Sequence, residues 1–109
     1  MATRSVIAIK NEDNTFDAIY CHFDGYPEGV GKTLKDHYNS KELAKALIDK
    51  GSLSALDKDL ESSVFYTSRG EQLKKYHEDS FEDLKKLCSD LWGEYLYVFQ
   101  DGKWDTIEA

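Results

Sequence analysis

Cysteine and proline are scarce in this chain, and its positive charges are outnumbered by negative ones. Its 109 residues include two cysteines and one proline. Two cysteines do not make the disulfide framework on which small secreted domains depend, so we expect Cys21 and Cys88 to be reduced thiols in the cytoplasm. No stretch rich in serine, glycine and proline could serve as a linker, and we predict a single domain over residues 1–109.

Long apolar runs are missing as well. Residues 1–5 lead into a short apolar segment without a basic-then-hydrophobic leader. No run approaches the roughly 20 residues of a membrane span, so we expect no membrane association. The formal net charge of −7 argues against direct nucleic-acid binding, which needs a basic surface. The excess of negative charge either keeps the protein soluble or complements a partner with a basic surface. The sequence leaves both interpretations open.

Five segments rich in β-branched and aromatic residues predict strands. They cover residues 5–9, 16–23, 64–67, 95–99 and 104–107. A polar turn separates the first two segments. The pair Asp101-Gly102, which is typical of a type I′ turn, separates the last two. We therefore predict one β-hairpin near each end of the chain.

Three segments with helical spacing of apolar residues predict helices. The first begins near Pro27, a residue suited to the first position of a helix. The second and third follow capping-box patterns at Asn39 and Ser80. Residues 52–63 fit either a short helical turn or an ordered loop. The order β-β-α-α-β-α-β-β predicts an α+β fold, with an antiparallel sheet and about three helices packed on one face.

The strand predicted at residues 95–99 is apolar on both faces. Tyr95, Tyr97 and Phe99 alternate with Leu96 and Val98. Either this strand is central and covered on both sides, or one face meets a partner such as a second copy of the chain.

Residues 29–33, Gly-Val-Gly-Lys-Thr, look like the end of a phosphate-binding P-loop. That motif needs a glycine separated from Gly31 by four residues, and this position holds Tyr26. The motif also belongs to a parallel βαβ unit, which does not fit the predicted antiparallel sheet. We therefore do not expect NTPase activity.

The same segment still suggests an anion site. A helix start offers free N–H groups and a favourable dipole to phosphate, and Lys32 and Thr33 lie in its first turns. Glycine within a helix costs about 1 kcal/mol relative to alanine. Gly29 and Gly31 therefore indicate that something approaches the backbone closely. That neighbour is either a ligand or another part of the protein.

Metal binding and catalysis have weaker support. Cys21, His22 and His37 lack the paired spacing of zinc ligands. Cys88 lies on the apolar stripe of its helix, which favours a buried structural thiol over a nucleophile. No Gly-x-Ser-x-Gly elbow is present. We expect a non-enzymatic protein with no metal and no cofactor.

Several stretches together resemble a known group of proteins. They are Thr3-Arg4-Ser5, residues 19–34 (Ile-Tyr-Cys-His-Phe-Asp-Gly-Tyr-Pro-Glu-Gly-Val-Gly-Lys-Thr-Leu) and residues 94–104 (Glu-Tyr-Leu-Tyr-Val-Phe-Gln-Asp-Gly-Lys-Trp). In these the chain resembles a group of small proteins encoded by bacteriophages and prophages. The resemblance implies a phage setting in the cytoplasm of a host cell. It implies no activity and assigns no functional residues.

Two functional hypotheses follow, each with a host component as partner. In the first, the protein sequesters a small phosphate-bearing signalling nucleotide to counter host defence. The expected ligand-binding residues are Arg4, His22, Gly25, Tyr26, Gly29, Gly31, Lys32, Thr33 and Arg69. In the second, the protein is an acidic inhibitor of a host enzyme and occupies a basic, nucleic-acid-binding site on it. Its continuous acidic face would be built from Asp57, Asp59, Glu61, Glu78, Asp79, Glu82 and Asp83.

Overall fold

The computed structural model describes residues 2–108, and within them the predicted α+β class is confirmed. The strands are β1 (Ser5–Lys10), β2 (Phe16–Cys21), β3 (Leu53–Ala55), β4 (Val64–Phe65), β5 (Tyr76–Glu78), β6 (Tyr95–Gln100) and β7 (Lys103–Glu108). The helices are α1 (Lys32–His37), α2 (Lys41–Asp49) and α3 (Phe81–Asp90). A π-helical turn at Pro27–Gly31 leads into α1, and a 3₁₀ turn at Tyr66–Arg69 follows β4.

All seven strands form one sheet of order β4-β3-β2-β1-β6-β7, with β5 paired to the first half of β2. The sheet is mostly antiparallel, as predicted, and both terminal hairpins form. Two pairs are parallel: β1 with β6, and β2 with β3. A parallel pair needs a long crossover, which α1 and α2 supply between β2 and β3. The Gly-Val-Gly-Lys-Thr segment therefore lies in a parallel crossover, so the expected antiparallel setting was wrong as a ground against a P-loop, and the ground that stands is Tyr26 at the required glycine position. The direction of such non-local pairs cannot be predicted from local turn patterns.

The helices pack on both faces of the sheet, so the prediction that they share one face is wrong. Helices α1 and α2 contribute Leu34, Ala44 and Leu47 to a core cluster that also contains Ile7 and Tyr97. We call this side of the sheet the α1–α2 face. Helix α3 covers the other side, the α3 face, where Leu84 and Cys88 meet Val6, Ala8, Leu96 and Val98. Strand β6 is therefore central and covered on both sides, which is one of the two alternatives for its apolar faces.

The local turn and cap patterns are largely confirmed. Asp101 and Gly102 have φ values of 54° and 76°, as a type I′ turn requires. The Ser80 hydroxyl accepts a hydrogen bond from the Asp83 N–H and caps α3. The cap of α2 is Ser40, one residue after the predicted Asn39. Residues 52–63 were expected to form a short helical turn or an ordered loop, but they contain strand β3, which neither interpretation includes, followed by a loop. Within residues 2–108, no helix is both long and apolar enough to cross a membrane.

Candidate functional site

Three backbone donors at the start of the first helical segment, those of Gly29, Val30 and Gly31, are already used by the protein. The Gly29 N–H donates to the Tyr26 carbonyl at 2.9 Å, and the Val30 N–H donates to the Asp24 carbonyl at 2.8 Å. The Gly31 N–H makes a longer bond of 3.5 Å to Tyr26. An anion at this helix start would therefore have to displace bonds that are satisfied internally.

The glycines of this segment face protein atoms. A Cβ on Gly25 would lie 2.6 Å from the Thr3 carbonyl oxygen, and a Cβ on Gly31 would lie 3.1 Å from the Tyr97 ring. A Cβ on Gly29 would overlap the Asp24 carbonyl oxygen. Close packing of the chain on itself, one of the two interpretations above, accounts for all three glycines.

Two polar residues of this segment, Lys32 and Tyr26, are exposed to solvent. Lys32 is exposed and pairs with Asp36 at 2.6 Å, and this pairing raises the pKa of Lys32. The exposed Tyr26 hydroxyl donates to Asp24 at 3.3 Å, and the negative charge of Asp24 raises the pKa of Tyr26. Thr33 is half-buried. The cation expected to bind phosphate thus already has a carboxylate partner.

Arg4 lies in a separate cleft at the end of the sheet where α3 finishes. The cleft has a volume of about 500 Å³. Its aromatic and basic lining consists of Arg4, Tyr20, Tyr66, Lys74, Tyr76 and Trp92. We call it the Arg4 cleft. Arg4 directly precedes β1 and Trp92 follows α3, whereas the others come from β2, the 3₁₀ turn, the segment before β5, and β5. The folded topology brings these side chains together.

Ser52 holds three parts of this cleft in place. Its hydroxyl accepts a hydrogen bond from the Tyr20 N–H at 3.0 Å and donates one to the Lys74 carbonyl at 2.8 Å. Its own carbonyl accepts from the Tyr66 N–H at 3.3 Å. Because Ser52 is 3% exposed, these bonds are shielded from water and define the floor of the cleft.

The cations of the cleft are available to a ligand. Within residues 2–108, neither Arg4 nor Lys74 has a carboxylate oxygen within 4.0 Å of its charged nitrogens. Glu71 and Asp90 also line the cleft and keep its total charge near neutral. Arg69 lies beside it, with its guanidinium carbon 5.8 Å from the centroid of the Tyr66 ring.

Two phenols of the cleft, Tyr20 and Tyr66, remain protonated at neutral pH. Burial raises the pKa of Tyr20, and the neighbouring Arg4 guanidinium partly opposes that rise. Burial also raises the pKa of Tyr66. The Tyr20 hydroxyl lies 2.7 Å from Nδ1 of His22, so His22 touches the cleft through Tyr20. Of the nine predicted ligand-binding residues, Arg4, His22 and Arg69 thus lie in or beside this cleft, and the other six belong to the glycine segment.

Both cysteines are free thiols buried in the fold. Burial raises the pKa of Cys21 to about 12 and that of Cys88 to about 11, so both remain protonated at neutral pH. Across the described part of the chain, no three His, Cys, Asp or Glu side chains cluster closely enough to hold a metal ion.

The acidic residues divide between the two faces of the sheet. Asp57, Asp59 and Glu61 flank Leu56 and Leu60, which pack against the core of the α1–α2 face. The second acidic group lies in β5 and at the start of α3, on the opposite face. The seven acidic residues of the predicted face therefore belong to two groups on different elements of the fold.

Sequence reasoning did not select Ser52, Tyr66, Lys74, Tyr76 or Trp92 as site residues. A serine, a lysine and isolated aromatic residues have many ordinary roles, and these positions are spread over 41 residues of the chain. One local pattern was available: Trp92-Gly93 follows the apolar stripe of α3, where a glycine is expected immediately after the helix.

Comparison with known proteins identifies no family for this chain. No family model matches the chain, and neither a curated protein nor a solved structure matches it.

Proposed function

We propose that this protein binds a small phosphate-bearing ligand in the Arg4 cleft and holds it without chemical change. The observation that carries this proposal is the environment of Arg4. Its guanidinium lines a cleft walled by aromatic rings, and no carboxylate within residues 2–108 pairs with it.

An arginine in this setting suits phosphate. The guanidinium is planar, permanently charged and able to give two parallel hydrogen bonds to two oxygens of one phosphate group. Tyr66 adds a hydroxyl donor, and Lys74 adds a second positive charge at the same cleft. Glu71 and Asp90 limit the total charge of the cleft, which favours a ligand with few phosphates.

Binding without turnover agrees with the chemistry of the side chains. The two thiols are buried and protonated, so neither provides an attacking group. The Tyr20–His22 contact has no serine, cysteine or carboxylate in its hydrogen bond that would make it part of a catalytic triad.

The ligand class follows from the aromatic lining. Tyrosine and tryptophan rings accept the flat face of a nucleobase, so a nucleotide suits this cleft better than a sugar phosphate does. In the phage setting that the sequence resemblance implies, such a protein would sequester a host signalling nucleotide and so counter a defence response.

Thermal unfolding against a panel of mononucleotides, cyclic nucleotides and ADP-ribose-type compounds tests this proposal. A ligand at a hundred times its dissociation constant adds about 2.7 kcal/mol to the unfolding free energy, which raises Tm by several degrees. Chromatography should then recover the ligand unaltered. A flat Tm across the panel would count against ligand binding, and conversion of the ligand would count against a purely binding role.

A further inference from the structure

Trp92 occupies a backbone position that normally belongs to glycine. After α3, the Trp92 N–H donates to the Ser89 carbonyl at 3.0 Å, and the Gly93 N–H donates to the Cys88 carbonyl at 2.8 Å. This pair of bonds is a Schellman motif, in which the first residue after the cap adopts a left-handed conformation. Trp92 has φ of 63°, as the motif requires.

A tryptophan at this position costs stability. Bulky residues rarely adopt positive φ, whereas glycine does so without steric conflict. Close packing explains the glycine at the next position, because a Cβ on Gly93 would lie 2.6 Å from the Cys88 sulfur. The Schellman geometry gives no such reason for a large side chain at position 92.

Burial of the Trp92 side chain does not offset this loss of stability. The side chain of Trp92 is 77% exposed, the largest exposed fraction among the large apolar residues of the described chain. The other tryptophan is the opposite case, since Trp104 is 5% exposed and its indole N–H donates to the Tyr38 carbonyl at 3.0 Å. Trp92 therefore adopts a left-handed backbone conformation that lowers stability, and its side chain does not contribute to the core.

We infer that Trp92 selects ligands that carry a flat aromatic ring, by stacking on the nucleobase while Arg4 holds the phosphate. This inference rests on the proposed function of the Arg4 cleft. Trp92 lines that cleft together with Tyr66 and Tyr76. A nucleobase held there would therefore lie near two further aromatic rings besides that of Trp92. Stacking on an aromatic side chain accepts any base, because every base presents a π face. The site is thus selective for nucleotides over sugar phosphates and has little preference between bases.

The test compares AMP and GMP with ribose 5-phosphate, which lacks the base. The unmodified protein should bind both nucleotides at least about tenfold more tightly than ribose 5-phosphate, since stacking on one ring contributes a factor of this order. In Trp92→Gly this preference should disappear, and in Trp92→Phe most of it should remain. Binding should also quench the emission of the exposed Trp92, whereas the buried Trp104 gives a constant background.

The same glycine variant separates this role from a structural one. Trp92→Gly should raise Tm, by roughly 4 °C, because glycine is preferred at this position of the motif. A residue needed for folding would lower it. Asp101→Gly is the matched control, because Asp101 also has positive φ (54°) and lies outside the Arg4 cleft. It should leave the affinity for AMP unchanged.

The outcomes separate this inference from the proposed function. Equal affinity of the unmodified protein for all three compounds would overturn the role of Trp92 and leave phosphate binding standing. Retention of the nucleotide preference in Trp92→Gly would also overturn that role. If none of the three compounds bound, both the role of Trp92 and the proposed phosphate site in the Arg4 cleft would be overturned.

Discussion

The hydroxyl of Tyr97 donates a hydrogen bond of 2.6 Å to the carbonyl oxygen of Gly25. Tyr97 belongs to β6 and is fully buried on the α1–α2 face. Its ring also lies against Gly31, so one side chain fixes both ends of the glycine segment onto the sheet. This contact explains why the segment that looks like a phosphate loop is held tightly against the core.

Removing that hydroxyl should destabilise the fold. Tyr97→Phe leaves the buried Gly25 carbonyl without a partner, and we expect a loss of about 1–3 kcal/mol in the free energy of unfolding. Urea titration followed by circular dichroism measures this change. Tyr26→Phe is the matched control, because its hydroxyl bonds to Asp24 in solvent, and it should change stability by less than about 0.5 kcal/mol. Equal effects of the two substitutions would contradict the assignment.

Gly31→Ala should also destabilise the protein, although alanine is the better helix former by about 1 kcal/mol. The added Cβ would lie 3.1 Å from the Tyr97 ring, which is fully buried and tied to Gly25. Overpacking of this kind costs about 1–3 kcal/mol, so the net change should be a lower urea midpoint. A higher midpoint would show that the ring can move and that the glycine has another purpose.

The pairing of β5 with β2 should depend on pH through His77. Its Nδ1 lies 2.7 Å from Asp17 on the neighbouring strand, and this hydrogen bond raises the pKa of His77 above its ordinary 6.5. A raised pKa stabilises the fold when His77 is protonated, and that stability is lost as the pH rises through the folded-state pKa. At about pH 5.5 the urea midpoint of the unmodified protein should therefore be higher than that of His77→Gln. This difference in midpoint should be smaller at about pH 8.5.

Asp17→Asn provides the control for this pH effect. It keeps a polar side chain on β2 but removes the charge that His77 faces, so it should flatten the pH dependence in the same way. A midpoint difference between the unmodified protein and His77→Gln that grows with pH would have the wrong sign and would contradict the pairing.

Local sequence patterns predict the local structure of this chain well. Asp101-Gly102 forms the expected turn and Ser80 the expected cap, because both depend on residues within three positions of each other. The placement of α3 on the opposite face was missed for a different reason. The two-sided apolar character of β6 indicates either a central strand or a strand that meets a partner, and it does not specify which helix covers which face.

The candidate site illustrates the same limit. Lys32 and its glycines form a compact sequence pattern, yet the fold uses them for an ion pair and for packing. Arg4 and Trp92 are 88 positions apart in the chain and share a cleft only because β1 and the end of α3 meet at one end of the sheet. The Arg4 carbonyl accepts a hydrogen bond of 2.8 Å from the Glu94 N–H, which fixes this juxtaposition. No pattern of neighbouring residues contains that information.

Calorimetric titration of AMP into three proteins tests the central claim most directly. The proteins are the unmodified chain, Arg4→Gln and Lys32→Ala. Hydrogen bonds to a charged partner contribute about 1.5–3 kcal/mol, so Arg4→Gln should weaken binding by about tenfold or more. Lys32→Ala should bind as the unmodified chain does, because Lys32 pairs with Asp36 outside the cleft. Loss of binding in Lys32→Ala with full binding in Arg4→Gln would place the site at the glycine segment and contradict the account.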